Sequence, residues 1–177
     1  KLYQTYTPEM ADGMGRLCRK ADIVVPNMTE ACHLLGRDYD PGPYTRDQVV
    51  DILKGLCALG PRMAVLTGVW LQVGSLGTAC YDARTGEAEL FLTDRIEGFY
   101  HGTGDLFASA LLGGLLNGAC LKEACETATE FTWRTIETTF EKSADHRFGP
   151  KFECHLPWLG EKMEACRKTV ANPENLR

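Results

Sequence analysis

The chain has 177 residues, of which 44% are hydrophobic and 24% are charged, a composition typical of a globular domain with a buried core. Its formal net charge is −5 and it contains no run of Lys or Arg, which argues against binding to a nucleic-acid backbone. We recognise neither a signal peptide nor a membrane-spanning stretch, so we expect a single cytoplasmic domain over residues 1–177 with no membrane partner.

Eight cysteines are spread along the chain without a C-x-x-C pair. This spacing indicates neither a zinc ribbon nor a thiol redox motif. Most of the cysteines lie among apolar neighbours, so we interpret them as small, reduced core residues.

The first half of the chain alternates between predicted helices and strands. Thr45 and Gln48 have the spacing of a capping box, which marks a helix start. Both predicted strands end in small polar residues, and in open α/β sheets ligands bind at that end. In chain order, the pattern predicts a helix opening at residues 7–8, a strand at 22–25, a helix from 27 to 36, a loop at 37–44, a helix from 45 to 60 and a strand at 63–68.

The second half begins with a change of pattern between residues 69 and 94, where short strands predict an antiparallel edge to the sheet. Helical spacing then returns and continues almost to the end of the chain. The predicted elements are strands at 70–73, 78–82 and 89–92, a buried helix from 102 to 116, an amphipathic helix at 121–140, a polar loop at 142–150, a last helix at 158–168 and a loose tail at 172–177.

A glycine turn at residues 102–105 opens the helix that we expect to be buried. Gly102 and Gly104 flank Thr103, and Asp105 follows. The first amides of a helix have no intrahelical partner and lie at its positive end, so such a turn can receive an anion such as phosphate. Glycine turns and acidic residues near helix starts also occur for stability alone. Because an acid at the mouth of an internal helix is costly unless it is used or paired, we regard Asp105 as a candidate functional residue.

Three groups of candidate residues lie where a strand or extended segment gives way to a turn or helix. They are Asn27 with Glu30, Thr67 with Gly68, and the glycine turn at residues 102–105. In a parallel sheet such ends meet at one edge. The groups would supply backbone amides, a hydroxyl, a carboxylate that reaches hydrated Mg²⁺, and a base, which a nucleotide phosphate site needs.

This pattern resembles the ribokinase-like superfamily and, within it, the vitamin B6 (pyridoxal) kinases. The resemblance rests on residues 21–31, which look like the family's strand, Pro-Asn and N-x-x-E segment, and on residues 102–107, where Thr103 between two glycines is typical of B6 kinases. Residues 147–153 and 156–157 also resemble a C-terminal feature of bacterial members. The resemblance implies a three-layer α/β sandwich with a mostly parallel central sheet and antiparallel edge strands.

The activity implied by the resemblance is the ATP-dependent phosphorylation of the hydroxymethyl group of pyridoxal, pyridoxine or pyridoxamine. Asp105 would be the catalytic base that accepts the hydroxyl proton. The anion hole around the γ-phosphoryl group would consist of Gly102, Thr103 and Gly104. These roles are consistent with phosphoryl transfer, which depends mainly on positioning and charge stabilisation.

The resemblance also implies where ATP and its ions are held. Asn27, Thr67 and Gly68 would contact ATP, and Glu30 would hold Mg²⁺ through water. The segment at residues 94–100 would run past the adenine. The family also uses a monovalent cation such as K⁺, and we expect a homodimer.

Several alternatives stay open on the sequence alone. Asn27 with Glu30 also fits a helix N-cap pairing, and Thr67 also fits the end of a strand. Val25 stands where a threonine often precedes the Pro-Asn of the family, and Gly68 stands where a serine often follows the threonine. Each departure removes a hydroxyl, from the monovalent-cation shell or from one phosphate contact.

The resemblance covers the C-terminal, ATP-side part of these kinases, whose first strand and helix units are not found in this chain. We therefore expect a fragment of a longer protein. A kinase for a sugar or a hydroxymethylpyrimidine, and a non-catalytic nucleotide-binding fragment, are the alternative functions.

Overall fold

The computed structural model of the protein describes residues 8–142 and 149–171. The chain forms two compact units, one that ends at Leu92 and one that begins at Thr93. A single domain over the whole chain stays a prediction. Residues 143–148 of the predicted loop at 142–150, which include the motif residues 147–148, and the tail at 172–177 lie outside the described residues.

The elements up to Asp94 form a mixed α/β structure in which the strand order is β1-β2-β3-β4. Strands β1 and β2 are parallel, with Ile23 opposite Met63, whereas β2 and β3 are antiparallel, with Met63 opposite Asp82. The predicted antiparallel edge is therefore confirmed. The bounds are α1 Pro8–Cys18, β1 Ile23–Val24, α2 Met28–Leu34, α3 Arg46–Ala58, β2 Met63–Val69, β3 Ser75–Asp82 and β4 Glu87–Asp94.

Helix α3 packs its apolar face on the sheet. The predicted capping box is present, since Thr45 Oγ1 accepts from the Gln48 amide at 3.2 Å and Gln48 Oε1 accepts from the Thr45 amide at 2.8 Å. Side chains with helical spacing then supply the buried face, because residues three and four apart share one side of a helix. The core between α3 and the sheet includes Val49, Ile52, Leu53, Leu56, Ala64 and Leu66.

The predicted strand at residues 70–73 is wrong, because this segment forms a turn before β3. The Ser75 amide donates to the Gln72 carbonyl at 3.2 Å, and Val73 is 90% exposed. Trp70 Nε1 donates to the Pro41 carbonyl at 2.9 Å, which commits its side chain to the loop before α3. Apolar residues at these positions thus serve a turn and a loop contact, not a strand.

The unit that begins at Thr93 is built on helices. Helix α4 packs on α5 so closely that a Cβ added at Gly114 would lie 3.0 Å from the Ala124 Cβ. Phe131 of α5 stacks on Trp158 of α6, with ring centroids 6.5 Å apart. The bounds are α4 Thr103–Leu116, α5 Leu121–Lys142, a 3₁₀ turn at Glu153–His155 and α6 Leu156–Ala171.

The expectation that α4 is internal on all sides is wrong. Phe107 and Leu111 are buried, but Leu112 is 52% exposed and Leu116 is 77% exposed. The helix buries the face that packs on α5 and leaves leucines on another face exposed. High hydrophobicity alone does not show which side of a helix has a neighbour.

The cysteines are all free thiols, and their burial varies. Cys32, Cys80 and Cys125 are buried, whereas Cys120 and Cys154 are exposed. Burial raises the pKa of the Cys57 thiol to about 11, which keeps it protonated near neutral pH. Among the described helices, none combines the length and the apolar character needed to cross a membrane.

Candidate functional site

The carboxyl ends of β1 and β2 bring two of the predicted site residues together. Asn27 and Thr67 form an isolated parallel bridge that continues the register of Val24 with Ala64. The Thr67 amide donates to the Pro26 carbonyl at 3.1 Å. The sequence therefore predicted correctly that these two strand ends lie side by side.

Asn27 and Glu30 form a capping box at the start of α2. Asn27 Oδ1 accepts from the Glu30 amide at 2.9 Å, and Glu30 Oε2 accepts from the Asn27 amide at 2.9 Å. The N-cap alternative is thus confirmed for this pair. Glu30 is exposed, and its second carboxylate oxygen, Oε1, has no hydrogen-bond partner in the described part of the chain.

The end of β2 is irregular at Gly68, the residue directly after Thr67. Gly68 has φ +73°, a left-handed conformation that favours glycine, and the β2–β3 register shifts between Thr67 and Val69. A Cβ added at Gly68 would meet no atom within 4 Å. Thr67 is half-buried, and its hydroxyl has no hydrogen-bond partner among residues 8–142 and 149–171. This bulge leaves a hydroxyl and an open backbone at the end of the sheet.

The glycine turn presents open amides at the start of α4. Gly102, the N-cap, has φ +85° and no side chain caps the helix. The Leu106 amide donates to the Gly102 carbonyl at 3.0 Å, and the Thr103 hydroxyl donates to the Tyr100 carbonyl at 3.1 Å. Within the described residues, nothing accepts from the amides of Thr103, Gly104 and Asp105.

The open amides distinguish α4 from the two capped helices. Side chains satisfy the first turns of α2 and α3, but α4 begins with a glycine that cannot do so. The first amides of a helix otherwise turn to water or to a ligand. Together with the positive end of the helix dipole, they form a surface to which a phosphate oxygen can bind.

Asp105 lies in the first turn of α4 with an exposed side chain. Its backbone carbonyl accepts from the Ser109 hydroxyl at 2.7 Å, whereas its carboxylate has no partner in the described residues. The expected internal helix with an acid at its mouth is therefore not found, because Asp105 is exposed. An accessible carboxylate without a partner remains available to accept a proton from a bound alcohol.

Tyr100 lies just before the glycine turn, and its side chain is hydrogen-bonded to the segment that leads into the turn. Burial raises the pKa of the Tyr100 phenol above its ordinary value. Its hydroxyl donates to the Glu97 carbonyl at 2.9 Å. In the same region, Trp133 Nε1 donates to the Asp94 carbonyl at 2.9 Å, which ties the start of the predicted adenine segment to α5.

Pro150, for which no role was predicted, lies near the glycine turn. A Cβ added at Gly102 would stand 3.8 Å from Pro150 Cδ, and a Cβ added at Gly149 would stand 3.9 Å from the His101 carbonyl oxygen. The Gly-Pro pair was noted only as part of a resemblance. A turn-forming dipeptide far along the chain gives no signal of what it contacts.

The donor set for Mg²⁺ is small. Within the described residues, no three His, Cys, Asp or Glu side chains come together in a group that could hold a metal ion. Mg²⁺ keeps several waters and usually binds one or two carboxylates together with substrate phosphates. Glu30 Oε1 at the strand ends fits this requirement, because one free carboxylate oxygen is enough to hold a hydrated ion.

The candidate residues fall in both units. Asn27, Glu30, Thr67 and Gly68 belong to the unit that ends at Leu92, and the glycine turn belongs to the unit that begins at Thr93. Their meeting at one edge of the sheet stays a prediction.

Comparisons with known proteins point to small-molecule kinases. A family model described as phosphomethylpyrimidine kinase matches residues 4–150. A pyridoxine kinase of Bacillus subtilis is 33% identical over 136 residues, which are 75% of this chain and 48% of that protein. The chain spans about half the length of the curated relatives it matches.

Solved structures agree with this similarity. A candidate phosphomethylpyrimidine kinase from Bacteroides thetaiotaomicron superposes with a TM-score of 0.86 at 30% identity, over 90% of this chain and 55% of that chain. Another crystal form of that protein contains pyridoxal. An ADP complex of Bacillus subtilis pyridoxal kinase superposes with a TM-score of 0.64 at 32% identity, over 75% of this chain and 51% of that chain. The predicted ribokinase-like α/β fold is confirmed.

Proposed function

Because the chain belongs to the phosphomethylpyrimidine kinase family, we propose that it supplies the nucleotide-binding part of an ATP-dependent kinase for a B6 vitamer. The candidate substrates are pyridoxal, pyridoxine and pyridoxamine, since the similar proteins include a pyridoxine kinase and a pyridoxal kinase. The observation that carries the proposal is the glycine turn, where three open amides lie beside a carboxylate without a partner in the described residues.

The reaction transfers the γ-phosphoryl group of ATP to the hydroxymethyl oxygen of the vitamer. The anion hole of Gly102, Thr103 and Gly104 would bind the oxygens of the group in transfer, and the helix dipole would stabilise their charge. Asp105 would accept the proton that the hydroxyl loses as its oxygen bonds to phosphorus. ADP leaves with the bridging oxygen, and the hydroxyl proton passes to the carboxylate, so the transfer is balanced in charge and protons.

The strand ends would hold the rest of the nucleotide. Thr67 has a hydroxyl that can donate to a phosphate oxygen, and Asn27 lies next to it. Gly68 leaves room for close approach of a ligand, because its position meets no atom within 4 Å. Glu30 would hold hydrated Mg²⁺, which, when bound, neutralises charge on the phosphates.

Further parts of the proposal rest on the family resemblance. They comprise a monovalent cation such as K⁺, whose shell would lack a hydroxyl at Val25, a homodimer and a role in vitamin B6 salvage. We also place the protein in the cytoplasm, where ATP is available and where eight free thiols stay reduced.

The test is the Asp105→Asn variant of the intact protein, with Asp47→Asn as the matched control. Asp47 is also an exposed acid in the first turn of a helix, in α3. We expect D105N to lower kcat by about 10²- to 10⁴-fold, the usual contribution of a general base, and to bind ATP normally. D47N should leave both quantities unchanged.

A panel of acceptors identifies the substrate. The three vitamers, a sugar and hydroxymethylpyrimidine are each assayed with ATP and the unmodified protein.

Unchanged turnover in D105N would refute Asp105 as the base. Tight ATP binding without phosphorylation of any acceptor would instead support a non-catalytic nucleotide-binding protein.

A further inference from the structure

Residues 149–151, here called the buttress, lie against the glycine turn. Pro150 Cδ is 3.8 Å from the Cβ position of Gly102, and the His101 carbonyl oxygen is 3.9 Å from the Cβ position of Gly149. Two successive residues of the buttress thus approach two successive residues at the start of the turn. Because no side chain caps α4, a segment that lies beside the turn contributes to its shape together with the turn's own hydrogen bonds.

A hydroxyl of α5 holds the buttress in place. Thr139 Oγ1 accepts from the Lys151 amide at 2.8 Å and donates to the Thr135 carbonyl at 2.6 Å, so both functions of the hydroxyl are used. The side chain of Thr139 is 1% exposed. The Lys151 ammonium also donates to the Lys142 carbonyl at 3.2 Å, at the C-terminal end of the same helix.

Thr135 provides a comparison on the same helix. It is 0% exposed, and its hydroxyl donates to the Phe131 carbonyl at 2.8 Å in the same i to i−4 pattern. The Thr135 hydroxyl accepts no hydrogen bond from the buttress. A threonine inside α5 therefore does not need a hydrogen-bond donor from outside the helix. Accepting from the Lys151 amide is an additional role of the Thr139 hydroxyl.

We propose that Thr139 is a positioning residue for the glycine turn, acting through the Lys151 amide and Pro150. Its importance for nucleotide binding rests on the proposed function, in which the amides of the turn hold the γ-phosphoryl group. Without the hydroxyl, the Lys151 amide loses its acceptor in a half-buried place, which is costly. The buttress then moves, and the Pro150 ring shifts relative to the left-handed Gly102.

The experiment compares Thr139→Val, Thr139→Ser and Thr135→Val in the intact protein. Valine has the shape of threonine without the hydroxyl, and serine restores the hydroxyl. The first measurement is the hydrogen-exchange rate of the Leu106 amide, whose bond to the Gly102 carbonyl closes the turn. We expect an increase of about tenfold in T139V and little change in T139S and T135V.

The second measurement is the affinity for AMP-PCP with Mg²⁺, by calorimetry. We expect T139V to weaken it about tenfold and the two other variants to stay within about twofold of the unmodified protein. Equal Leu106 exchange in T139V and T135V would overturn the proposal. If T139V fails to fold, Pro150→Ala replaces it, since Pro150 is partly exposed, and unchanged Leu106 exchange there has the same meaning.

The two measurements separate the two claims. If the unmodified protein does not bind AMP-PCP, the proposed function fails, but Leu106 exchange still decides whether Thr139 positions the turn. If AMP-PCP binds and T139V leaves Leu106 exchange unchanged, the proposed function stands and the role of Thr139 is refuted.

Discussion

Glu30 has two assignments, a helix cap that the structure shows and a Mg²⁺ contact that we propose, and two substitutions separate them. Glu30→Ala removes the acceptor of the Asn27 amide as well as the charge. Glu30→Gln removes the charge but keeps an oxygen that can accept from the Asn27 amide, as Glu30 Oε2 does at 2.9 Å in the unmodified protein. The two variants therefore differ in the cap and agree in the loss of the metal contact.

The magnitudes follow from the geometry of α2. The helix has seven residues, so its first turn is half of its length, and loss of the reciprocal bond in E30A should cost about 1 kcal/mol of unfolding free energy. E30Q should cost less, roughly 0.3–1 kcal/mol, because only the charge near the helix N-terminus is lost. A carboxylate charge about 5 Å from the doubly charged ion, across one water, contributes roughly 2–7 kcal/mol to Mg²⁺ binding for effective dielectric constants from about 80 (water) down to about 20 (protein surface).

The assays are urea denaturation for the cap and AMP-PCP titration at increasing Mg²⁺ for the metal contact. We expect both variants to weaken the Mg²⁺-dependent affinity by roughly twentyfold or more, although their stabilities differ. Gln48→Ala is the control, since it breaks the matching capping box of α3 and should lower stability alone. If E30Q binds the Mg²⁺ nucleotide as well as the unmodified protein, Glu30 is a helix cap and nothing more.

Two further predictions concern stability. Gly77→Ala would place a Cβ 1.9 Å from the Phe91 carbonyl oxygen and should lower the unfolding free energy, measured in urea, by about 3 kcal/mol. Gly160→Ala, in an open position of α6, should raise the unfolding free energy slightly. Equal effects of the two substitutions would contradict the close approach of β3 and β4. Burial raises the pKa of Tyr44 to about 12, so the neutral phenol stabilises the folded protein below pH ~10, and this stabilisation is lost as the pH rises towards 12. Tyr44→Phe should reduce this alkaline loss of unfolding free energy, measured by urea titration at each pH. The prediction is refuted if the unfolding free energy of the variant and of the unmodified protein falls in parallel over this pH range.

Local features could be predicted from the sequence. The pairs Asn27 with Glu30 and Thr45 with Gln48 lie three residues apart, and both form capping boxes because the chemistry is confined to one helix turn. The left-handed Gly102 at the start of α4 follows in the same way from a glycine before an apolar run. Such features depend only on neighbours in the chain.

Features that depend on distant contacts could not be predicted. The apolar residues at 70–73 read as a strand, but Trp70 is committed to the Pro41 carbonyl 29 residues earlier. The apolar side chains of Leu112 and Leu116 predicted a buried helix face, yet the face of α4 on which they lie is exposed. The approach of Pro150 to the glycine turn and the bond from Lys151 to Thr139 likewise join segments with no shared pattern. Periodicity shows that a face is apolar and not which element packs on it.

The bulge at Gly68 explains one departure from the kinase pattern in physical terms. The residue has φ +73°, and a serine held in that left-handed conformation would cost roughly 1–2 kcal/mol. The glycine and the bulge therefore belong together, and the serine hydroxyl of the family pattern would require a different backbone here. Thr67, whose hydroxyl has no partner among the described residues, is then the side chain at this strand end that can donate to a phosphate. The lost hydroxyl at Gly68 thus makes Thr67 more important to the proposed site.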